Sequence, residues 1–183
     1  KNWWRMTWED WLWPIGVNGS GRKLLDVGAG HGFFMEHARD CGWETSGVEA
    51  SPYCQNDCYR GQIEEDGYWN KVDLVTAFWV LEHLRDPRAF LAKAKEWSQM
   101  LLLAVPNEWT DLQAEANKVA KKKDWWVHKS HVNYFSKAAL DGLLRSAGWT
   151  PARLLGTYPM ENYILQGQDY TNDEAVGREM HWL

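Results

Sequence analysis

The residues best placed to do chemistry form one short stretch, Asp26-Val27-Gly28-Ala29-Gly30-His31-Gly32. It follows the apolar run RKLLDV (residues 22–27), which reads as a buried strand, and precedes a helical pattern that starts at Phe33. Glycines adopt turns closed to other residues and let a ligand approach the backbone. The carboxyl end of a strand, before a helix, is where ligands bind in open α/β sheets. The spacing is GxGxG, not the GxGxxG of dinucleotide folds. Glu49 closes the next strand, 21 residues after Gly28. A carboxylate there accepts hydrogen bonds from both hydroxyls of a ribose. Strand, glycine turn, helix, strand and acid together specify a nucleoside-type ligand.

Other candidates are weaker. Cys54 and Cys58 stand four apart, but two further metal ligands are missing nearby, so the three cysteines read as reduced thiols. Lys121-Lys122-Lys123 precedes Trp125-Trp126 and His128. Basic residues beside aromatics can track single-stranded nucleic acid. A solvated helix end followed by packed tryptophans is the plainer reading, and a wall of an acceptor pocket a third. Five of the 14 tryptophans fall in the first 13 residues. Trp4, Trp8, Trp11 and Ile15 have helical spacing, so the start of the 1–20 segment reads as a tryptophan-rich helix packed on the domain, broken by Pro14 to Gly21, with a lid role compatible.

These residues need a scaffold. After the first strand, Phe34, Ala38 and Cys41 share a helix face, and Gly42 ends that helix. Glu44 to Val48 is a second strand. Ser51-Pro52 starts a helix that Gly61 closes, and a weak third strand lies near Gln62 to Glu64. Strands are expected at Val72 to Ala77 and Met100 to Val105, with a helix from Asp86-Pro87 to about Trp97 between them. The stretch from Asn107 to Tyr134 is long and partly helical. Ser136 caps a helix ending at Gly148, and two last strands are expected at Thr150 to Thr157 and Asn162 to Gln166. Alternating strands and helices give an α/β fold with a mostly parallel sheet.

Composition narrows the function. The chain has 183 residues, 45% of them hydrophobic, with a net charge of -5. That length suits one domain with a real core. The acidic balance argues against a broad electrostatic grip on nucleic acid. No apolar run reaches the roughly 20 residues of a membrane span. A cytoplasmic location is expected, and the sequence leaves the oligomeric state open.

The motifs carry a family resemblance. LLDVGAGHG resembles the first motif of class I S-adenosylmethionine (SAM)-dependent methyltransferases, and GVEAS the second. VDLVTAFWVLEHLRDP resembles the fourth-strand region of a branch that includes quinone and other small-molecule O-methyltransferases. LLLAVPN is similar to the fifth strand, and HVNYFSKAALDGLLRSAGW to the helix before a final hairpin. The late stretch YPMENYILQGQDYT is similar to a bacterial subgroup associated with surface-polysaccharide or other small-molecule biosynthesis. The likeness covers about Leu24 to Gly167. It implies a Rossmann-like, seven-stranded, mostly parallel sheet with helices on both faces and an antiparallel last strand. The domain would span 21–167, with 1–20 as the lid segment and 168–183 as a tail.

Residue by residue, the resemblance implies that Asp26, Gly28, Ala29 and Gly30 hold the methionine end of SAM. Glu49 would hold the ribose, with Ala50 beside the adenine. Gln62 and Ile63 would contact the adenine, although Gln62 stands where many relatives carry an acid. Phe78 would border the sulfonium. The demethylated product would be S-adenosylhomocysteine (SAH).

Methyl transfer from a sulfonium is an in-line displacement, helped mainly by alignment. A hydroxyl acceptor also needs a base. Glu82-His83, His128 and His131 are the candidates, with His131 the better placed and His83 the alternative; a histidine titrates near pH 6.5 when unperturbed. Scaffold or cofactor-site roles compete, because such histidines recur among enzymes with different acceptors. Quinone methyltransferases of this branch use an extra acid near the Glu-His pair to bind a divalent cation. Three residues before Glu82 stands Trp79, which cannot ligate, so no metal is expected. A small-molecule hydroxyl acceptor is the leading expectation, its pocket walled by the N-terminal helix and residues 108–134, with Trp8, Trp11, Trp125 and Trp126 as aromatic walls. The alternatives are a nucleic-acid methyltransferase and a SAM-binding protein without catalysis. Against the first, Ala77-Phe78-Trp79-Val80 is not the Asn/Asp-Pro-Pro-aromatic motif of base methylation.

Overall fold

The computed structural model describes residue 12 and residues 18–51, 58–60, 71–121, 127–156, 159 and 161–168. Most of the lid segment, Gln62, Ile63, Trp125, Trp126, the 52–57 stretch of the expected second helix and most of the tail lie outside the described residues.

Five strands form one sheet in the order β3-β2-β1-β4-β5: β1 (Lys23–Val27), β2 (Glu44–Glu49), β3 (Cys58–Arg60), β4 (Leu74–Phe78) and β5 (Leu101–Ala104). Every neighbouring pair is parallel. Parallel neighbours require crossovers. Helix α1 (Phe33–Asp40) connects β1 to β2, and α2 (Pro87–Trp97) connects β4 to β5.

The strand sequences explain which face each helix covers, because successive side chains point to opposite faces. Leu25, Val27, Val75 and Ala77 face a core built with Phe90, Leu91, Ala94 and Trp97 of α2. Helix α4 (Lys137–Ser146) closes that side with Leu140, Leu143 and Leu144. Leu24 and Leu74 face the other way, against Phe34 and Ala38 of α1, together with Trp43 and Leu12. Helices therefore cover both faces, as expected.

Local chemistry sets the helix starts. Asp86 accepts the Ala89 N–H at 2.9 Å and Pro87 takes the first turn of α2. Thr110 and Gln113 form a reciprocal capping box at α3 (Asp111–Ala120). Ser136 caps α4 through the Ala139 N–H.

Two expectations fail. Strand β3 lies at Cys58–Arg60, inside the stretch expected as the second helix, because it pairs with Gly47–Glu49 of β2; the strand expected near Gln62 to Glu64 lies outside the described residues. Pairing to an existing sheet edge overrides the local helix signal there, and Cys58 sits in a strand, not on a helix face shared with Cys54. The closing antiparallel strands are also absent among the described residues: the sheet has five strands there, not seven. Residues 150–156 are irregular, and Glu161–Leu165 is a short helix, α5. Ile164 explains the difference, since it is fully buried against Ala116 and Ala120 of α3. A helical turn places that one side chain in the α3 contact.

Candidate active site

The strand order reverses at β1, where the chain leaves toward β2 and β3 and returns to β4 on the other side. Crevices open at the carboxyl ends of strands at such switch points. Asp26, Gly28, Ala29 and Gly30 at β1, Glu49 and Ala50 at β2, and Phe78 at β4 all gather there.

The glycine turn is shaped by its neighbours. Gly28 and Ala29 donate their N–H groups to the Val48 carbonyl at 2.8 and 3.2 Å. Gly28 has φ +72°, and a Cβ on it would lie 2.5 Å from Val80 Cγ2. Gly30 has φ +54°, and nothing stands within 4 Å of where its Cβ would be. Gly28 thus serves packing, whereas Gly30 faces open space.

Glu49 spans the crevice. One carboxylate oxygen accepts the Gly30 N–H at 2.8 Å and the other the Ser51 N–H at 2.7 Å. Burial opposes its ionisation, but the N–H groups of Ser51 and Gly30 outweigh burial and hold its carboxyl below the usual value. Each oxygen has two acceptor sites, so capacity remains for ribose hydroxyls.

Asp26 is different. It is buried in β1, and its carboxylate accepts the Thr76 hydroxyl at 2.7 Å. Burial pushes its carboxyl up to about 7, with the Thr76 bond opposing and the Glu49 charge adding to the rise. Thr76 escaped the sequence reading, although a hydroxyl in an otherwise apolar strand was a signal. Phe78 meets the Phe34 ring edge-to-face at 4.8 Å, on the same face of the sheet as Asp26. Trp79 follows in the left-handed region (φ +55°), a conformation that bulky residues rarely adopt, and is 44% exposed.

Acid, open glycine and half-buried aromatic fit an S-adenosyl sulfonium cofactor, with its cationic methionine end expected near Asp26. Such a group, when bound, supplies the activated methyl.

A second cluster lies beyond β4. The chain makes a 3-10 turn at Leu81–His83, and the segment 127–135 is pinned over it. The Glu82 carbonyl accepts the N–H groups of Val132 and Asn133, and the Asn133 side chain donates to the carbonyls of Leu81 and Leu84. Residues 107 and 135 form a parallel bridge. This brings His131 beside His83, ring centroids 4.8 Å apart, with His128 at 5.1 Å from His131. Glu108, buried, places Oε1 3.4 Å from His131 Nδ1, within ion-pair distance but not aligned as a hydrogen bond. Burial pushes the Glu108 carboxyl up to about 7, raises that of Glu82 and lowers the His131 imidazole. Glu108 and Asn133 carry no spacing signal in the sequence; only the fold brings them here.

With fold and crevice described, the comparisons with known proteins identify the class. The methyltransferase-domain family matches residues 7–154, and the chain belongs to that family. It is a class I SAM-dependent methyltransferase domain. The mitochondrial ubiquinone biosynthesis O-methyltransferase of Schizosaccharomyces pombe is 30% identical over 93 residues, covering 42% of this chain and 34% of that protein. The chain thus spans about a third of the length of this curated relative. Among solved structures, magnesium protoporphyrin IX methyltransferase from Synechocystis PCC 6803, with bound SAH, superposes with a TM-score of 0.63 at 18% identity, over 85% of this chain and 77% of that one. The YcgJ protein of Bacillus subtilis gives 0.61 at 14% identity, over 93% and 82%. Both share the fold. Among the described residues no helix is long and apolar enough to cross a membrane.

Proposed function

We propose that the protein transfers the methyl group of SAM to a hydroxyl oxygen of a small molecule, leaving SAH. The observation that carries this reading is the pinning of residues 127–135 across the turn after β4, which sets His131 beside Glu82 and His83. SAM takes the crevice at β1 and β2, held by Asp26, Gly28, Ala29, Gly30, Glu49 and Ala50, with Phe78 bordering the sulfonium. Gln62 and Ile63 are assigned to the adenine on the resemblance alone. The methyl then points toward β4, where this cluster lies. Alignment supplies most of the rate. Loss of the acceptor proton is assigned to the cluster, through His131 first and His83 as the alternative. The identity of the ubiquinone relative supports an oxygen acceptor. A cytoplasmic location and the absence of a nucleic-acid partner belong to the same proposal, on the cysteine usage and the net charge of -5.

The test is a SAM turnover assay with candidate phenols, sugars and carboxylic acids. With the accepted substrate, His131→Ala should lose roughly 10²–10⁴ in turnover while keeping its SAM affinity. Full turnover in that variant removes His131 as the base, and full turnover in His83→Ala as well removes the cluster from the reaction.

A further inference from the structure

Glu108 and Trp109 invert the usual order, with the charge inside and the indole outside. The carboxylate of Glu108 is buried, whereas Trp109 is 60% exposed and holds the left-handed backbone region (φ +61°). Bulky residues rarely adopt that conformation, and a buried charge is costly without a partner. Such costs persist where the surrounding structure imposes them, commonly at functional sites. Two anchors impose them here. The Glu108 N–H donates to the Phe135 carbonyl at 2.9 Å, and the capping box of Thr110 and Gln113 starts α3 two residues later. Together they hold Glu108 against the pinned histidine segment.

What Glu108 meets there is His131. Its Oε1 lies 3.4 Å from Nδ1, and neither Nδ1 nor Oε2 has a hydrogen-bond partner among the described residues. Oε1 is thus an acceptor within reach of an Nδ1 hydrogen. Hydrogen bonds at catalytic sites often tighten only in the loaded enzyme. The side chain of His131 keeps 14% exposure against 4% for Glu108, so the imidazole reaches solvent with the carboxylate behind it. His83 differs, because its Nδ1 lies 3.0 Å from the Ser130 carbonyl oxygen, a neutral acceptor. Of the two rings, His131 is the one with a carboxylate at Nδ1.

We propose that Glu108 is the positioning residue for His131 as the base of methyl transfer. Its carboxylate accepts the Nδ1 hydrogen, which fixes the tautomer with the lone pair on Nε2, and its charge balances the imidazolium that forms. A carboxylate behind a histidine base acts in this way in hydrolytic triads. The acceptor hydroxyl loses its proton to Nε2, and its oxygen forms the bond to the methyl carbon. The carbon–sulfur bond breaks with its electron pair left on sulfur, and the imidazolium later gives the proton to water. Glu82, buried nearby, adds a negative charge that favours the same imidazolium, whereas His83 and His128 oppose it. The inference deepens the proposed function and rests on its reading of His131 as the base. The neutral carbonyl behind His83 makes that ring the weaker alternative.

Nitrogen NMR of the imidazoles in the SAH complex tests the contact at about pH 8, above the value of about 7 to which burial pushes the Glu108 carboxyl. His131 is expected to carry its hydrogen on Nδ1, and Glu108→Leu to release that tautomer. Leucine removes a buried charge, so this variant should keep its melting temperature and SAH affinity. With the accepted substrate it should lose about ten- to a hundredfold in kcat at unchanged KM, out of the roughly 10²–10⁴ that a base contributes. In a His131→Ala background the same substitution should cost nothing more, because Glu108 acts through that ring. A parent His131 with its hydrogen on Nε2, a tautomer indifferent to Glu108→Leu, or an equal loss in the His131→Ala background overturns the proposal. The parent's tautomer is read without any variant and without turnover. A failed acceptor screen with the Nδ1 tautomer intact therefore removes the methyl-transfer reading alone, whereas an active enzyme with the hydrogen on Nε2 removes Glu108 alone.

Discussion

The carboxylate of Glu49 accepts the backbone N–H of Gly30 at 2.8 Å, so the acid that ends β2 braces the glycine turn that follows β1. One residue thus shapes the crevice, and it is the one proposed to hold the ribose of the cofactor. Loss of a charge-assisted hydrogen bond costs about 1.5–3 kcal/mol. Glu49→Ala should therefore weaken SAM and SAH binding by roughly ten- to a hundredfold. Calorimetry on the folded variant checks this, and an unchanged affinity takes Glu49 out of the site.

The two glycines of the turn should separate by phenotype. A side chain at Gly30 meets no atom within 4 Å and enters the open crevice, although its φ of +54° adds strain. Gly30→Val should abolish cofactor binding in a protein that still folds. Gly28→Ala drives a Cβ to 2.5 Å from Val80 Cγ2, so it should lower the melting temperature. Normal SAH binding by Gly30→Val would mean that the open space is not the cofactor's.

If Asp26 holds the methionine end of the cofactor as proposed, affinity should depend on pH. Its carboxyl is pushed up to about 7, first by burial. The ammonium of the methionine end favours the ionised form. Below about pH 7 the free protein holds Asp26 protonated, and binding must release that proton. Affinity should therefore rise with pH through about 7 and then level off. Glu49, held below its usual value, stays ionised throughout. SAH titrations across neutrality check the slope, and Asp26→Asn should flatten it. A parent protein with no slope would show that Asp26 does not face the ammonium.

Asn133 ties the histidine segment to the turn after β4 through the carbonyls of Leu81 and Leu84. Leaving such groups without a donor costs about 1–3 kcal/mol. Asn133→Ala should lower the melting temperature and reduce turnover more than SAH affinity. Equal losses in both would place this tie outside the acceptor side.

The sequence by itself determined the crevice. Asp26, the glycines and Glu49 are read from a strand, a turn, a helix and a second strand that are contiguous in the chain. Their chemistry depends on local backbone geometry, which local residue types dictate. The faces of β1 and β4 were equally legible, since alternation alone assigns Leu24 and Leu25 to opposite sides. Tertiary structure decided the rest. Ile164 forms a helix and not a strand because α3 offers it a buried contact. Residues 58–60 join β2 because an open sheet edge outweighs a helix-start signal. The cluster of Glu82, Glu108, His83 and His131 exists only because Asn133 and two backbone N–H groups fold a segment from some 50 residues downstream over the turn after β4. No periodicity encodes a contact between residues so far apart in the chain; only the packed fold brings them together.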